Sequence, residues 1–209
     1  MIKGVIFGLA GVIVDIDEMN YKAWKQVADR MGVYFDKDIN HRIRGFSRMK
    51  SLDIILEMSQ PIPETEKIAF ADKKNDIFRK AVMSLSAKDV DGDVMAVLCM
   101  LRDHGVKCAI GSTSKNVELM IKQLGIESYF DAISDGNSIS GENLDSEIFL
   151  KAAALIGVEP SDCAVVENIS IGIDAANAGG FYSIGIGDAA EYDKTDMKIK
   201  RLTEILNLL

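Results

Sequence analysis

The chain predicts an α/β protein: a parallel-sheet core with an all-helical segment inserted after the first strand. Three observations carry this. Short apolar strands alternate with amphipathic helices from about Gly92 onward, the pattern of βαβ units. The chain opens on a lone apolar strand, Val5-Ile6-Phe7. Between the two, residues 15 to about 86 show helical spacing and offer no strand candidate. Residues 1–14 and 88–209 are therefore assigned to the core and 15–87 to the insert. A length of 209 residues suits one core with a small insertion.

The elements follow in order. In the insert, Tyr21, Trp24, Val27, Ala28 and Met31 make one helical stripe, and Leu52, Ile55 and Leu56 belong to another. Pro61 and Pro63 break the pattern, and Glu64 to Met83 gives more helix. Linkers near Val14-Asp17 and Leu85-Asp91 would let the insert hinge. In the core, Asp93 to His104 is helical and ends at Gly105, and Val106 to Ile110 is a strand. Val117 to Leu124 is a helix stopped by Gly125, followed by the strand Ala132-Ile133-Ser134. Ser146 is expected to cap a helix that ends at Gly157. Ala164-Val165-Val166 and Tyr182 to Ile186 are strands around a helix near Ile171 to Ala178. The Lys198 to Arg201 stretch reads as the solvated face of a helix.

Composition narrows the partners. A net charge of −8 repels nucleic-acid phosphates and anionic membranes, so neither is expected to bind. No apolar run approaches the ~20 residues a membrane helix requires, and no secretory signal precedes the first strand. A cytoplasmic protein is expected. Cys99, Cys108 and Cys163 fall in apolar neighbourhoods with no metal or redox spacing, as small core residues in a reducing compartment do. His41 and His104 have no partner spacing and are expected at the surface.

The informative segment is Lys3 to Ile13, because chemistry in open parallel sheets sits just past the carboxyl ends of the strands. With Asp in place of Gly8 and Ala10, it would read Phe-Asp-Leu-Asp-Gly-Val. That is the signature of the haloacid dehalogenase-like phosphotransferases. Further stretches carry the likeness: Ala23-Trp24-Lys25, Asp36 to Asn40, Gly45-Phe46-Ser47-Arg48, Lys74-Asn75-Asp76, Ser112 to Asn116 and Tyr129 to Ile133. The chain thus resembles that family over nearly its full length, and within it the β-phosphoglucomutase-like branch, which has a Rossmann-like core and a helical cap.

The resemblance implies a set of roles. A first Asp attacks phosphorus, and a second moves the proton of the sugar hydroxyl. A Lys offsets charge on the transferring group, and an acidic pair helps to hold Mg²⁺. The matching positions here are Gly8, Ala10, Asn143 and the pair Glu167 with Asn168. Only Glu167 keeps its type, so it is left as a doubtful metal ligand and Mg²⁺ binding should be weak or absent. Loss of a nucleophile costs on the order of 10⁶ in kcat, or roughly 8 kcal/mol at ~1.36 kcal/mol per decade. Aspartyl-phosphate transfer is therefore not expected.

For phosphate or substrate binding, the resemblance points to Trp24, Gly45, Ser47, Arg48, Ser51 and Lys74 in the insert. In the core it points to Ser112, Ser114, Lys115 and Asn116, which open a helix whose amides favour anions. Read as plain residues, Ser114 or Asn116 would cap that helix, Trp24 would be core, and Arg48 and Lys74 would be solvated charges. Ile16 and Asn20 stand where the branch has a Thr and a His. Three functions stay open: a silent family member that binds a phosphorylated sugar, an active sugar-phosphate mutase or phosphatase, and a structural or regulatory interaction protein.

Overall fold

A computed structural model describes residues 2–90, 92–139 and 145–209. Six strands form one sheet: β1 (Gly4–Phe7), β2 (Lys107–Gly111), β3 (Ala132–Ser134), β4 (Cys163–Glu167), β5 (Tyr182–Gly185) and β6 (Met197–Lys198). Their order is β3-β2-β1-β4-β5-β6, and every neighbouring pair is parallel. The opening strand is therefore central, with β2 on one side and β4 on the other. Such a reversal of strand order leaves a crevice beyond the carboxyl ends.

Alternate residues on each strand feed opposite faces. Val5 and Phe7 pack with Ile110, Val166 and the helices α5 (Gly92–Asp103) and α6 (Val117–Leu124). Ile6, Ala109 and Val165 pack with α7 (Ser146–Ile156) and α8 (Ser170–Ala178). Both faces are thus covered, which is why the central strands read as nearly unbroken apolar runs. Gly125 and Gly157 end their helices in the left-handed conformation, as the sequence predicts.

The insert holds α1 (Asp17–Met31), α2 (Lys37–Arg42), α3 (Arg48–Ile55) and α4 (Glu64–Val82). Trp24, Phe35, Leu52 and Ile55 centre its own apolar cluster. Ala23, Phe78 and Val82 instead join the cluster under the sheet. The insert therefore has a private core and a root continuous with the larger one. Among the described residues no helix is long and apolar enough to cross a membrane.

Two local expectations are corrected. Asp145, not Ser146, caps α7 by accepting the Glu147 amide at 3.0 Å, because an extended Asp places its carboxylate over the first turn. Lys198 to Arg201 is no helix face. Lys198 lies in the edge strand β6, and Ile199 is buried while Lys198 and Lys200 are exposed. That alternation is a strand period, which a short charged run hides.

Candidate functional site

The carboxyl ends of β1, β2 and β4 meet at one edge. Gly8 continues the pairing of β1 with β4, its amide donating to the Val166 carbonyl at 2.8 Å. Ser112 does the same beyond β2, toward Ser134 at 3.1 Å. Gly8, Ser112 and Glu167 are thereby brought together, with Ala10 in the turn that follows β1.

What occupies this edge is a carboxyl group that the sequence does not place. A Cβ at Gly8 would lie 2.6 Å from Glu167 Oε1, and one at Gly172 would lie 2.6 Å from Glu167 Cδ. Glu167 therefore fills the space between the two glycines, so side chains at 8 and 172 would overlap it. It is 4% exposed. Burial pushes its carboxyl up to about 8, against the Asn168 amide at 3.2 Å and the Arg44 charge, which both pull it down. At neutral pH this group is predominantly the neutral acid.

Arg44 comes from the insert. Its guanidinium pairs with Asp188 at 2.7 Å and, with the Asn168 amide assigned the orientation that satisfies both of its neighbours, donates to Asn168 Oδ1 at 2.8 Å. The Asn168 amide nitrogen in turn donates to the Ala10 carbonyl at 3.0 Å. The neighbouring Gly45, at φ +82°, makes the turn between α2 and α3 that aims Arg44 at the core. Gly45 also accepts from Thr113 Oγ1 at 3.5 Å.

The remaining insert residues gather elsewhere. Trp24 is buried at the centre of the insert, so its core reading holds. Lys74 is buried beside it, with Nζ 5.1 Å from the Trp24 ring and 4.5 Å from the Phe78 ring. Its ammonium donates to Asn20. Burial first, and the Arg48 charge second, pull the Lys74 amine down to about 7. The expectation of a solvated Lys74 is thus overturned by burial against two aromatic faces. Arg48 is partly exposed and donates to the Ala71 carbonyl and to Asp72, both at 3.3 Å. Ser47 caps α3, accepting the Lys50 amide at 3.2 Å. Ser51 is buried, 3.5 Å from the Ile43 carbonyl.

At the core's anion candidate, Ser112 Oγ accepts the Ser114 amide at 3.3 Å, and Ser114 Oγ accepts the Asn116 amide at 3.2 Å. Asn116 spends its side chain on α4 rather than on capping its own helix. Its oxygen accepts from Arg79 and its nitrogen donates to Asn75, both at 3.0 Å. Lys115 is exposed. Asn143 lies outside the described residues.

The sequence pattern of haloacid dehalogenase-like hydrolases matches residues 2–180. The chain belongs to that family. It is 32% identical over 206 residues to the β-phosphoglucomutase of Bacillus subtilis (strain 168), covering 97% of this chain and 91% of that one. The fructose-1-phosphate phosphatase of Escherichia coli (strain K12) is 27% identical over 183 residues, covering 88% and 95%. A crystal structure of the Clostridium difficile β-phosphoglucomutase superposes with a TM-score of 0.93 at 31% identity, covering 98% of this chain and 93% of that one. The chain is thus a β-phosphoglucomutase-like member of the haloacid dehalogenase family.

Does the strand edge fit the Mg²⁺ the family implies? Gly8 offers no side-chain oxygen. The Ala10 carbonyl accepts from Asn168, and the Asn168 oxygen accepts from Arg44. Glu167 is wedged against two glycines as a mainly neutral acid. Hard dications are held by charged oxygens, and no described group of three His, Cys, Asp or Glu residues could hold a metal. The residues present do not fit the ion.

Sequence reasoning missed Arg44, Asp188, Arg79 and Gly172. Arg44 directly precedes the Gly45 to Arg48 stretch, so a cation beside a turn glycine was the available signal. Nothing local marks Asp188 or Gly172 as neighbours of the strand ends.

Proposed function

We propose that this chain is a β-phosphoglucomutase-like haloacid dehalogenase protein that binds a phosphorylated sugar without transferring its phosphoryl group. The observation that carries the reading is the edge of β1, where Gly8 and Ala10 supply no attacking or proton-carrying oxygen and Glu167 fills the vacated space. A buried acid that is mainly protonated is a poor nucleophile toward phosphorus. Binding is supported by the chemistry of the relatives, two of which are named phosphatases of fructose 1-phosphate and of phosphorylated carbohydrates. It is supported also by the cations at two positions the resemblance names, the partly exposed Arg48 and the exposed Lys115. In this reading residues 15–87 are a cap that hinges on its two linkers, and sugar phosphate enters when it lifts.

Two measurements test it. Calorimetric titration with glucose 6-phosphate is expected to give heat at millimolar ligand, and a flat trace defeats the binding half. Incubation with glucose 1,6-bisphosphate, followed by intact-protein mass spectrometry, is expected to leave the mass unchanged. A phosphoryl adduct overturns the silent half.

A further inference from the structure

The misfit for Mg²⁺ has a specific occupant. A metal at the strand ends would take the Ala10 carbonyl, the oxygen of residue 168 and charged carboxylates as its shell. In this chain the first is engaged by the Asn168 amide and the second by the Arg44 guanidinium, 3.0 and 2.8 Å away. Arg44 also takes Asp188 at 2.7 Å and pulls on the Glu167 carboxyl. A fixed monovalent cation thus stands among the acceptors, and its planar fork can bond two of them at once.

This cation is carried by the insert, across the seam from the strand ends. Arg44 sits in the turn between α2 and α3, the tip, whereas Phe78 and Val82 on α4 form the root that joins the larger core. The root closes through apolar Phe78 and Val82 and through Arg79 and Asn75 on Asn116, whereas the tip closes through Arg44 with Asp188 and Asn168, and through Thr113 with Gly45. The seam beside the tip stays open as a groove of about 440 Å³, lined in part by His41, Phe46, Ile169 and Tyr192. We infer that Arg44 is the resident cation of the strand ends: it takes the acceptors a metal would need and thereby latches the cap shut in the absence of metal and sugar. The latch rests on the hinged cap of the proposed function but not on its sugar binding, since it concerns the unliganded protein.

Hydrogen exchange on the full chain, without sugar, tests the latch. In Arg44→Gln, exchange at residues 43–46 and 168–169 is expected to quicken by roughly an order of magnitude, as local opening does, while β1 and β4 keep their protection. Asp188→Asn should quicken the same residues by less. Salt at about 1 M, where the screening length falls to ~3 Å, should act on the native chain in the same direction. Millimolar MgCl2 should leave native exchange unchanged. If Arg44→Gln fails to fold, Asp188→Asn and the salt series decide alone. Native-like exchange in these variants overturns the latch, and so does protection that rises with added Mg²⁺. Failure of glucose 6-phosphate to bind would leave the exchange result standing, so the two readings fail separately.

Discussion

The core and the cap each bury a charged type of side chain deep in a packed site, Glu167 and Lys74, and the two are accommodated in opposite ways. Glu167 lies at the strand ends in space created by the absence of two side chains, at Gly8 and Gly172. Lys74 lies in space created by the presence of two large ones, Trp24 and Phe78. In both, burial drives the group toward its neutral form, the acid up and the amine down. The surroundings differ in what they could release. Aromatic faces attract a cation, so Lys74 can carry charge in place. The glycine walls give Glu167 no such support, and only the Asn168 amide and the Arg44 charge favour its ionised form. The comparison teaches that the cap was built around its cation, whereas the core edge closed over its acid.

The sharpest break of the cap is Trp24→Ala. A fully buried Trp replaced by Ala costs about 3–5 kcal/mol, and urea unfolding should show that loss while β1 and β4 keep slow hydrogen exchange. A loss under 1 kcal/mol would mean that the cap cluster contributes little. On the core side, Gly172→Ala meets the Glu167 stem, Cγ and Cδ both at 2.6 Å, whereas Gly8→Ala meets chiefly its end. Ala in a helix ordinarily stabilises by up to ~1 kcal/mol over Gly. Overpacking should reverse that sign here, costing about 1–3 kcal/mol at 172 and less at 8. Glu167→Ala in the same chain should relieve both penalties, and simple additivity in that cycle would remove Glu167 from the gap.

The pH dependence sharpens the comparison further. The Lys74 amine falls from 10.5 to about 7 on folding, so the unfolded chain binds more protons between those values. Stability should therefore rise with pH across that window, and the destabilisation is fully present below pH 7. Lys74→Met should flatten the rise in urea midpoints measured from pH 7 to 10. An unchanged slope would show that the amine is hydrated. At the small end, Lys3→Ala removes an exposed pair with Asp162 and should not move the urea midpoint measurably.

Much of the fold was legible. Val5-Ile6-Phe7, Ala132-Ile133-Ser134 and the end of α6 at Gly125 fall where apolar runs and left-handed glycines put them. The site was legible as a list of missing oxygens and not as an arrangement. Ser47 and Ser51 read as phosphate ligands, yet one caps its helix and the other is buried, because hydroxyls bond to the nearest backbone when the chain offers it. Asn116 read as a cap, yet it bonds to Asn75 and Arg79 on α4.

The amino-acid order alone determined the parallel core, the helical insert after the first strand, and the absence of a side-chain oxygen at Gly8 and Ala10. Those follow from period, chirality and residue chemistry, which act over a few neighbours. Only the tertiary structure decided that Glu167 enters the gap between Gly8 and Gly172, and that Arg44 reaches Asp188, 144 positions along the chain. Contacts at that separation depend on how the layers pack, and a vacated volume is filled by whichever side chain the packing brings near.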